Sequence, residues 1–178
     1  MLLDAVPGSP TANSYVTIEA ASAFLEARLD TEAWLHASAD AQVQTLVWAT
    51  ALLDSQVRWY GTPTYPSQAL ALPQFGLVDR WGRAVDSATV GRDVQHATAL
   101  YGLTLLRVTA PDAPEASEAD LIVKSKKIGD TTITYQDISG MTSTRVATSP
   151  YAIPNEVLPL LQAYGIVPGC GYAMLVRW

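Results

Sequence analysis

The spacing of hydrophobic residues predicts a first amphipathic helix near the N-terminus. Apolar side chains recur every three or four positions across residues 18–29, which is typical of one buried helix face. Thr17 is predicted as the N-cap, because its hydroxyl can accept a hydrogen bond from the first turn. Asp30 or Thr31 is expected to cap a further short turn.

Two longer stretches are more apolar and predict a buried helix pair. In a helix predicted from Asp40 to Val57, the hydrophobic residues are so dense from Val43 onward that no polar face remains, which favours burial on several sides. A third helix is predicted to be capped by Ser87 or Thr89 and to become apolar all round after Ala97. We therefore expect these two helices to pack against each other.

The thirty residues 58–87 between these helices, called the excursion below, have neither a helical nor a strand period. Such long loops are uncommon in compact domains and are usually functional or disordered, and this one is too aromatic for disorder. Its expected anchors are Trp59, Tyr60, Leu70, Leu72, Phe75, Leu77 and Val78. Its tip, with Arg80, Trp81 and Arg83, is the candidate for contact with a neighbouring subunit.

After the third helix the pattern changes to an acidic linker and a β-hairpin. Residues 110–120 are small, acidic and proline-containing, which is typical of a linker. Gly129-Asp130 separates two β-rich runs, Leu121 to Ile128 and Thr131 to Ile138, and suits a type II′ turn. Ile128, Ile133 and Tyr135 on this hairpin are predicted contact residues for a neighbouring subunit or another partner.

The C-terminal residues 139–178 predict a short helix followed by an apolar arm. Asn155 is expected to cap a helix that runs to Tyr164, although Pro159 limits its regularity. Pro168, Gly169 and Gly171 break the ending that follows, so this arm either tucks into its own core or docks on a partner. Its candidate docking residues are Ile166, Val167, Tyr172, Met174, Leu175, Val176 and Trp178.

Together these elements predict a mainly α protein: a small helical bundle with a long ordered loop, one β-hairpin and an extended C-terminal arm. The predicted parts are a helical bundle domain with an N-terminal arm over residues 1–109, the linker 110–120, the hairpin 121–138 and the C-terminal segment 139–178. We expect them to form a single structural domain, which agrees with a length of 178 residues.

Composition and charge narrow the possible partners. Only 16% of the residues are charged against 49% hydrophobic, so either partners cover part of the surface or the chain is simply a small alanine-rich protein. The net charge of −6 is uneven, with sums of −6 over residues 1–57, +2 over 58–107 and −2 over 108–178. An acidic chain has no overall electrostatic footprint for nucleic acid, so any DNA contact is expected to be local.

No motif indicates catalysis, a metal or a cofactor. His36 and His96 have no second ligand at a metal-binding spacing, and the glycines form no phosphate-binding loop. Cys170, the single cysteine, excludes an intramolecular disulfide and has no basic neighbour to lower its thiol pKa. We expect a protein that is not an enzyme, although an enzyme using Cys170 or His96 is a remote alternative. Neither a signal peptide nor a membrane span is expected.

Lys124, Lys126 and Lys127 are the only lysines and form one cluster on the hairpin. They either protect a solvated strand edge or contact DNA phosphates. Three charges with one nearby aromatic fall short of a platform for single-stranded DNA. In a ring of many copies, however, these three charges would be repeated in every subunit and add up to dozens.

Four segments, in this order, resemble a family of head-to-tail connector (adaptor) proteins of tailed bacteriophages. They are Ala12-Asn13-Ser14-Tyr15-Val16, Leu53-Asp54 with Arg58-Trp59-Tyr60-Gly61, Gln68-Ala69-Leu70-Ala71-Leu72-Pro73, and Val123-Lys124-Ser125-Lys126-Lys127-Ile128-Gly129. Where the family usually has Trp-Pro-Arg, this chain has Leu72-Pro73-Gln74. Members of the family are often labelled DnaT-like single-stranded-DNA-binding proteins.

The resemblance implies a structural virion protein, assembled in the host cytoplasm and located at the head-to-tail junction. It would form a ring of about twelve identical subunits beneath the portal protein, with heterologous contacts between neighbours. The ring would extend the channel for double-stranded DNA, which passes without sequence specificity, and would present a platform to a tail or nozzle protein. No membrane and no cofactor are implied. The alternative function is a single-stranded-DNA-binding protein of phage replication.

Overall fold

A computed structural model describes residues 2–109, 125–128, 131–134 and 151–168. The fold is mainly helical, as predicted. Its elements in chain order are α1 Ile18–Glu26, α2 Glu32–Leu35, α3 Ala39–Gln56, β1 Arg58–Trp59, β2 Thr62–Pro63, β3 Gln74–Phe75, α4 Arg92–Thr109, β4 Ser125–Ile128, β5 Thr131–Thr134, α5 Leu158–Leu161 and β6 Gly165–Ile166. Among these helices, none is both long and apolar enough to cross a bilayer.

Helix α4 lies at the centre of the core. Every residue from Ala97 to Leu103 is buried, and the helix packs against α1, α2, α3 and α5. This confirms the prediction of a helix that is apolar on all sides and pairs with α3.

Helix α3 keeps a solvent-exposed side, contrary to the prediction. Val43, Leu46 and Leu53 face the core, whereas Gln44, Trp48, Ala51 and Ser55 are exposed. The helix lies at the edge of the bundle, and the Trp48 ring packs on Tyr151 at 4.9 Å between centroids. The prediction from the density of hydrophobic residues therefore gave α3 more covered sides than it has.

The helix ends follow local capping chemistry, with two corrections. Thr17 caps α1 as predicted, since its hydroxyl accepts from the Ala20 N–H at 3.2 Å. Helix α1 nevertheless ends at Glu26, and Leu29 is left 93% exposed. Helix α3 begins one residue before Asp40 and is capped by the Ser38 hydroxyl.

Helix α4 begins at Arg92, so neither Ser87 nor Thr89 is its cap. Instead, Asp86 organises a turn by accepting hydrogen bonds from the N–H groups of residues 88 and 89. Gly91 then approaches the Tyr164 ring so closely that an added Cβ would lie 2.6 Å from it. The side-chain turn and this close contact delay the helix.

Residues 151–168 are part of the same core. Ile153, Val157, Leu158 and Leu161 are buried among the residues of the main hydrophobic cluster. Helix α5 is shorter than predicted and is not capped by Asn155, because Pro154 accepts a hydrogen bond from the Val157 N–H in a turn.

Strand β6 pairs antiparallel with β1, with Trp59 opposite Gly165 and Arg58 opposite Ile166. The first residues of the predicted arm therefore tuck into their own domain, and Val167 packs on the core. Residues 169–178, and with them Cys170, lie outside the described residues.

Strands β4 and β5 confirm the predicted hairpin over a shorter length. They are antiparallel, and Ile128 pairs with Thr131 across a two-residue connection. The remainder of the predicted strands, including Lys124 and Tyr135, lies outside the described residues.

Candidate functional site

The carboxylate of Asp54, near the end of α3, attaches the excursion to the helices. Its Oδ1 accepts hydrogen bonds from the Tyr15 hydroxyl and from the Trp59 indole N–H, the latter at 3.1 Å. Its Oδ2 accepts from the Ala71 backbone N–H at 3.1 Å. One half-buried carboxylate thus joins the N-terminal arm, the start of the excursion and its middle.

Tyr15 extends this network. Its ring is buried, its backbone N–H donates to the Thr50 hydroxyl at 3.3 Å, and its own hydroxyl accepts from the Leu72 N–H at 3.3 Å. Burial, together with the nearby Asp54 carboxylate, raises the pKa of Tyr15, so the hydroxyl remains a donor. Burial also raises the pKa of Asp54, and the three donated hydrogen bonds lower it only partly.

Three of the four segments that carry the resemblance meet at this network. Tyr15, Asp54, Trp59 and Ala71 come from segments that are far apart in the chain but are joined here by hydrogen bonds. These residues hold the fold together and leave no reactive group exposed. We call them the Asp54 hub.

The apolar anchors of the excursion are fewer than predicted. Leu72 and Leu77 are buried, and Leu70 packs beside them in a second hydrophobic cluster with Tyr164. Trp59 packs against both clusters, whereas Tyr60 anchors through its backbone N–H, which donates to the Tyr164 carbonyl at 2.8 Å.

Phe75 and Val78 are exposed, so their prediction as anchors is wrong. Phe75 lies on the short β2–β3 ribbon, where neighbouring side chains take opposite sides, and Gln74 occupies the buried one.

The tip of the excursion is a tight turn built around Asp79. Its Oδ1 accepts from the backbone N–H groups of Trp81 and Arg83, each at 2.9 Å, and its Oδ2 accepts from Arg83 Nε at 2.7 Å. Gly82 has φ of +76°, a value that favours glycine. Desolvation alone would raise the pKa of Asp79, but the hydrogen bonds from Arg83 and Trp81 outweigh it and lower the pKa.

Arg80 attaches this tip to α4. Its Nε and Nη2 donate to the two oxygens of Asp93 at 3.1 and 2.8 Å, a bidentate pair. The Asp93 side chain is nearly buried, with 10% of its surface exposed. The hydrogen bonds to Asp93 raise the pKa of Arg80.

Trp81 projects from the turn with 66% of its surface exposed. The guanidinium carbons of Arg80 and Arg83 lie 5.0 and 4.8 Å from its ring centroid, so both make cation–π contacts. A large ring held in place beside two cations is well suited to bind a partner.

A cleft of about 580 Å³, called the loop-tip cleft below, lies between this turn, the start of α4 and Tyr164. The enclosed carboxylates of Asp79 and Asp93 pair with Arg83 and Arg80, whereas Arg92 is exposed at the rim. The side chain of Arg92 makes no ion pair within the described part of the chain. The cleft therefore has acidic groups in its interior and presents positive charge to solvent.

His96 also lines the cleft but is held as a structural residue. Its ring stacks on Phe24 with centroids 3.8 Å apart and planes 10° apart. Partial burial and the neighbouring Arg92 lower the pKa of His96, so it is neutral at pH 7. Within residues 2–109, 125–128, 131–134 and 151–168, no group of histidine, cysteine and acidic side chains could hold a metal ion.

The predicted contact residues fall into separate places. Arg80, Trp81 and Arg83 meet at the loop-tip cleft, which the sequence analysis did not link to α4 or Tyr164. Ile166 lies in β6, half exposed, and Ile128 and Ile133 lie in the hairpin strands. Lys126 and Lys127 lie in β4, whereas Tyr172, Met174, Leu175, Val176 and Trp178 lie outside the described residues.

One comparison with known proteins matches the chain. A family model described as "Putative DnaT-like ssDNA binding protein" matches residues 1–177. No curated protein and no solved structure matches. The description agrees with the label that the resemblance led us to expect, and it names single-stranded DNA instead of a connector.

Proposed function

The chain belongs to the family described as "Putative DnaT-like ssDNA binding protein", and we propose, from the resemblance of its four segments to phage connector proteins, that it is a head-to-tail adaptor of a tailed bacteriophage. In this proposal identical subunits form a ring beneath the portal protein. The ring extends the channel for double-stranded DNA and offers a platform to a tail or nozzle protein. Its place is the virion, and its action is mechanical, without a catalytic step.

The ion pairs made by the described arginines favour the adaptor function over DNA binding. Four of the six, Arg28, Arg80, Arg83 and Arg107, are ion-paired with carboxylates of the same chain. An arginine that already has a carboxylate partner must exchange it before it neutralises a phosphate, and phosphate neutralisation provides most of non-specific DNA affinity. The described surface thus has few arginines that are free to bind phosphate.

The exposed apolar side chains support contact with proteins. Leu29, Phe75 and Trp81 are each exposed over two thirds of their surface or nearly so. Protein interfaces are enriched in aromatic residues and arginine and depleted of unpaired charge at their centres. Hydrogen bonds to Asp54 attach the excursion to the helices, so binding would not require this attachment to form first.

The resemblance supports the assignment of partners. The described start of the arm, Gly165–Ile166, is tied to β1, and we propose that the residues after it dock on the portal protein. The hairpin with Lys124, Lys126 and Lys127 would then face either a neighbouring subunit or the DNA channel. A chain that ends at Pro168 lacks only residues 169–178, which lie outside the described residues, and so tests the arm directly.

The experiment is assembly on purified portal protein, followed by electron microscopy and native mass spectrometry. Full-length chain is expected to add a symmetric ring to the portal, and a chain ending at Pro168 is expected to stay folded but bind the portal at least tenfold more weakly. A full-length chain that adds no density to the portal would refute the adaptor function.

A second candidate is a single-stranded-DNA-binding protein, and the family description supports it more directly than the adaptor function. Its binding residues would be Lys124, Lys126, Lys127, Arg80 and Arg83 with Trp59 and Trp81. In the described structure only Trp81 offers an exposed ring there, because the Trp59 indole donates to Asp54 and packs in the core, and Arg80 and Arg83 already contact the Trp81 ring.

Fluorescence anisotropy with a labelled oligonucleotide of about 30 nucleotides separates the two functions. Single-strand binding predicts affinity that falls at least tenfold between about 50 and 200 mM salt and that is lost in the Trp81→Ala variant. The adaptor function predicts no measurable binding at about 50 mM salt.

A further inference from the structure

The corner between α1 and α2, residues 26–35, presents an unusual exposed pattern. Four exposed side chains follow one another there at three-residue steps, namely Glu26, Leu29, Glu32 and Leu35. Leu29 is almost fully exposed, and it lies between the two glutamates in sequence. We call residues 26–35 the acidic corner.

Ion pairs hold the acidic corner in place and leave its two glutamates free. Arg107 donates to the Asp30 carbonyl and pairs with the Asp30 carboxylate at 2.8 Å, while Asp30 has φ of +62°. Arg28 pairs with Glu156 at 3.4 Å. Among the described residues, neither Glu26 nor Glu32 has an ion-pair partner.

The loop-tip cleft has the complementary features. Arg92 places an unpaired positive charge at its rim, Arg83 is paired with Asp79, and the exposed Trp81 ring together with Ala84, Val85 and Val90 gives it an apolar side. A cleft of about 580 Å³ is large enough for a leucine side chain. The acidic groups beside the exposed Leu29 side chain therefore match the unpaired Arg92 beside the aromatic cleft.

We propose that the acidic corner of one copy of this chain docks into the loop-tip cleft of the next copy, with Leu29 against Trp81 and Glu26 beside Arg92, the arginine of the cleft that has no ion pair among the described residues. This proposal rests on the ring of the proposed function and identifies its two contact surfaces. The surfaces are different parts of the chain, as the head-to-tail contact of a closed ring requires. The tryptophan would be the central anchor, and the charge pair beside it would set the orientation.

The test uses Arg92→Glu and Glu26→Arg, because both substitutions spare the fold. Glutamate at the first residue of α4 and arginine at the last residue of α1 each place the charge that the helix dipole favours. Arg58→Glu is the control, since Arg58 is exposed and lies outside both surfaces. Ring formation is measured by native mass spectrometry and sedimentation velocity of the full chain, alone and on portal protein.

Each of the two variants alone is expected to raise the concentration needed for assembly at least tenfold, because like charges then face each other at every contact. An equimolar mixture is expected to restore assembly, since alternating subunits place each reversed cleft against a reversed corner. Arg58→Glu is expected to assemble like the wild type.

Two results would overturn the proposal. In one, both variants assemble normally, which places the contact elsewhere while the ring itself stands. In the other, both variants fail but their mixture fails as well, which shows that the two residues do not face each other. A wild-type chain that forms no ring, alone or on the portal, would instead refute the proposed function on which this contact rests.

Discussion

Replacing Asp54 should release the excursion while the helices remain folded. The Asp54→Ala substitution leaves the Tyr15 hydroxyl, the Trp59 indole N–H and the Ala71 N–H without their acceptor. Asp54→Asn keeps one oxygen for the first two donors but turns an N–H₂ group toward the Ala71 N–H. The alanine variant should therefore be the more damaging of the two.

The expected loss follows from the number of donors. A buried donor left without a partner costs about 1–3 kcal/mol. Burial of the Asp54 carboxylate is itself unfavourable, as its raised pKa indicates, so removing this charge offsets part of the loss. We expect the alanine variant to lose about 3 kcal/mol of unfolding free energy and the asparagine variant about 1–2 kcal/mol. For a chain of this size, about 3 kcal/mol lowers Tm by roughly 6–12 °C.

The dependence on pH has a defined sign. Because the folded pKa of Asp54 is raised, its ionisation opposes folding. The stability of the wild type relative to Asp54→Asn should therefore be constant below about pH 3, where Asp54 is protonated in both states, and fall as pH rises through the folded pKa.

Thermal unfolding by circular dichroism measures the loss, and limited tryptic digestion at Arg80 and Arg83 measures release of the excursion. Asp86→Asn is the matched control, because Asp86 lies in the same excursion, is exposed and organises only a local turn. It should change stability by no more than about 0.5 kcal/mol. An alanine variant at Asp54 as stable and as protease-resistant as this control would refute the hub.

Three further predictions concern the loop-tip cleft. Gly91→Ala places a Cβ against the Tyr164 ring and should lower the unfolding free energy by about 1–3 kcal/mol in chemical denaturation; unchanged stability would contradict the close contact. Trp81→Ala should leave Tm within about 2 °C of wild type, because the ring is exposed, yet weaken assembly at least tenfold in sedimentation; equal assembly would remove Trp81 as an anchor. Because the pKa of Asp79 is lowered, it stabilises the tip above its unfolded pKa, so wild type should lose its advantage over Asp79→Asn as pH falls from about 5 to 2 in thermal melts; a constant difference would contradict this.

The helices could be predicted from the sequence because their signals are local. The spacing of apolar residues located α1, α3 and α4, and the Thr17 cap needed only its own hydroxyl and the next turn. The two-residue connection of the hairpin is equally local. The prediction of burial on all sides was correct for α4, which has neighbouring helices around it. The same prediction was wrong for α3, which lies at the edge of the bundle.

The Asp54 hub could not be predicted, because its members meet only in the folded chain. Tyr15 lies 39 residues before Asp54, and Ala71 lies 17 residues after it. A single aspartate in the last turn of an apolar helix resembles any polar residue near a helix end. Strand β6 could not be predicted for the same reason. Its two residues carry no strand period, and they pair with β1 residues more than a hundred positions away in the chain.

The candidate site was predicted in part. The basic, aromatic tip at Arg80, Trp81 and Arg83 stood out by composition. Its pairing with Asp93 and its cleft with Tyr164 depend on how the excursion folds back over α4. Exposure of Leu29 and Phe75 could not be predicted either, because hydrophobicity alone does not distinguish an anchor from an interface residue.

The mass of the assembly tests the central claim most directly. Native mass spectrometry of the 19.1 kDa chain with purified portal protein should give a complex that contains a fixed number of copies, as many as the ring symmetry requires. A chain that remains monomeric with and without portal protein, and instead binds a single-stranded oligonucleotide in a salt-dependent manner, would contradict the adaptor and favour the DNA-binding function.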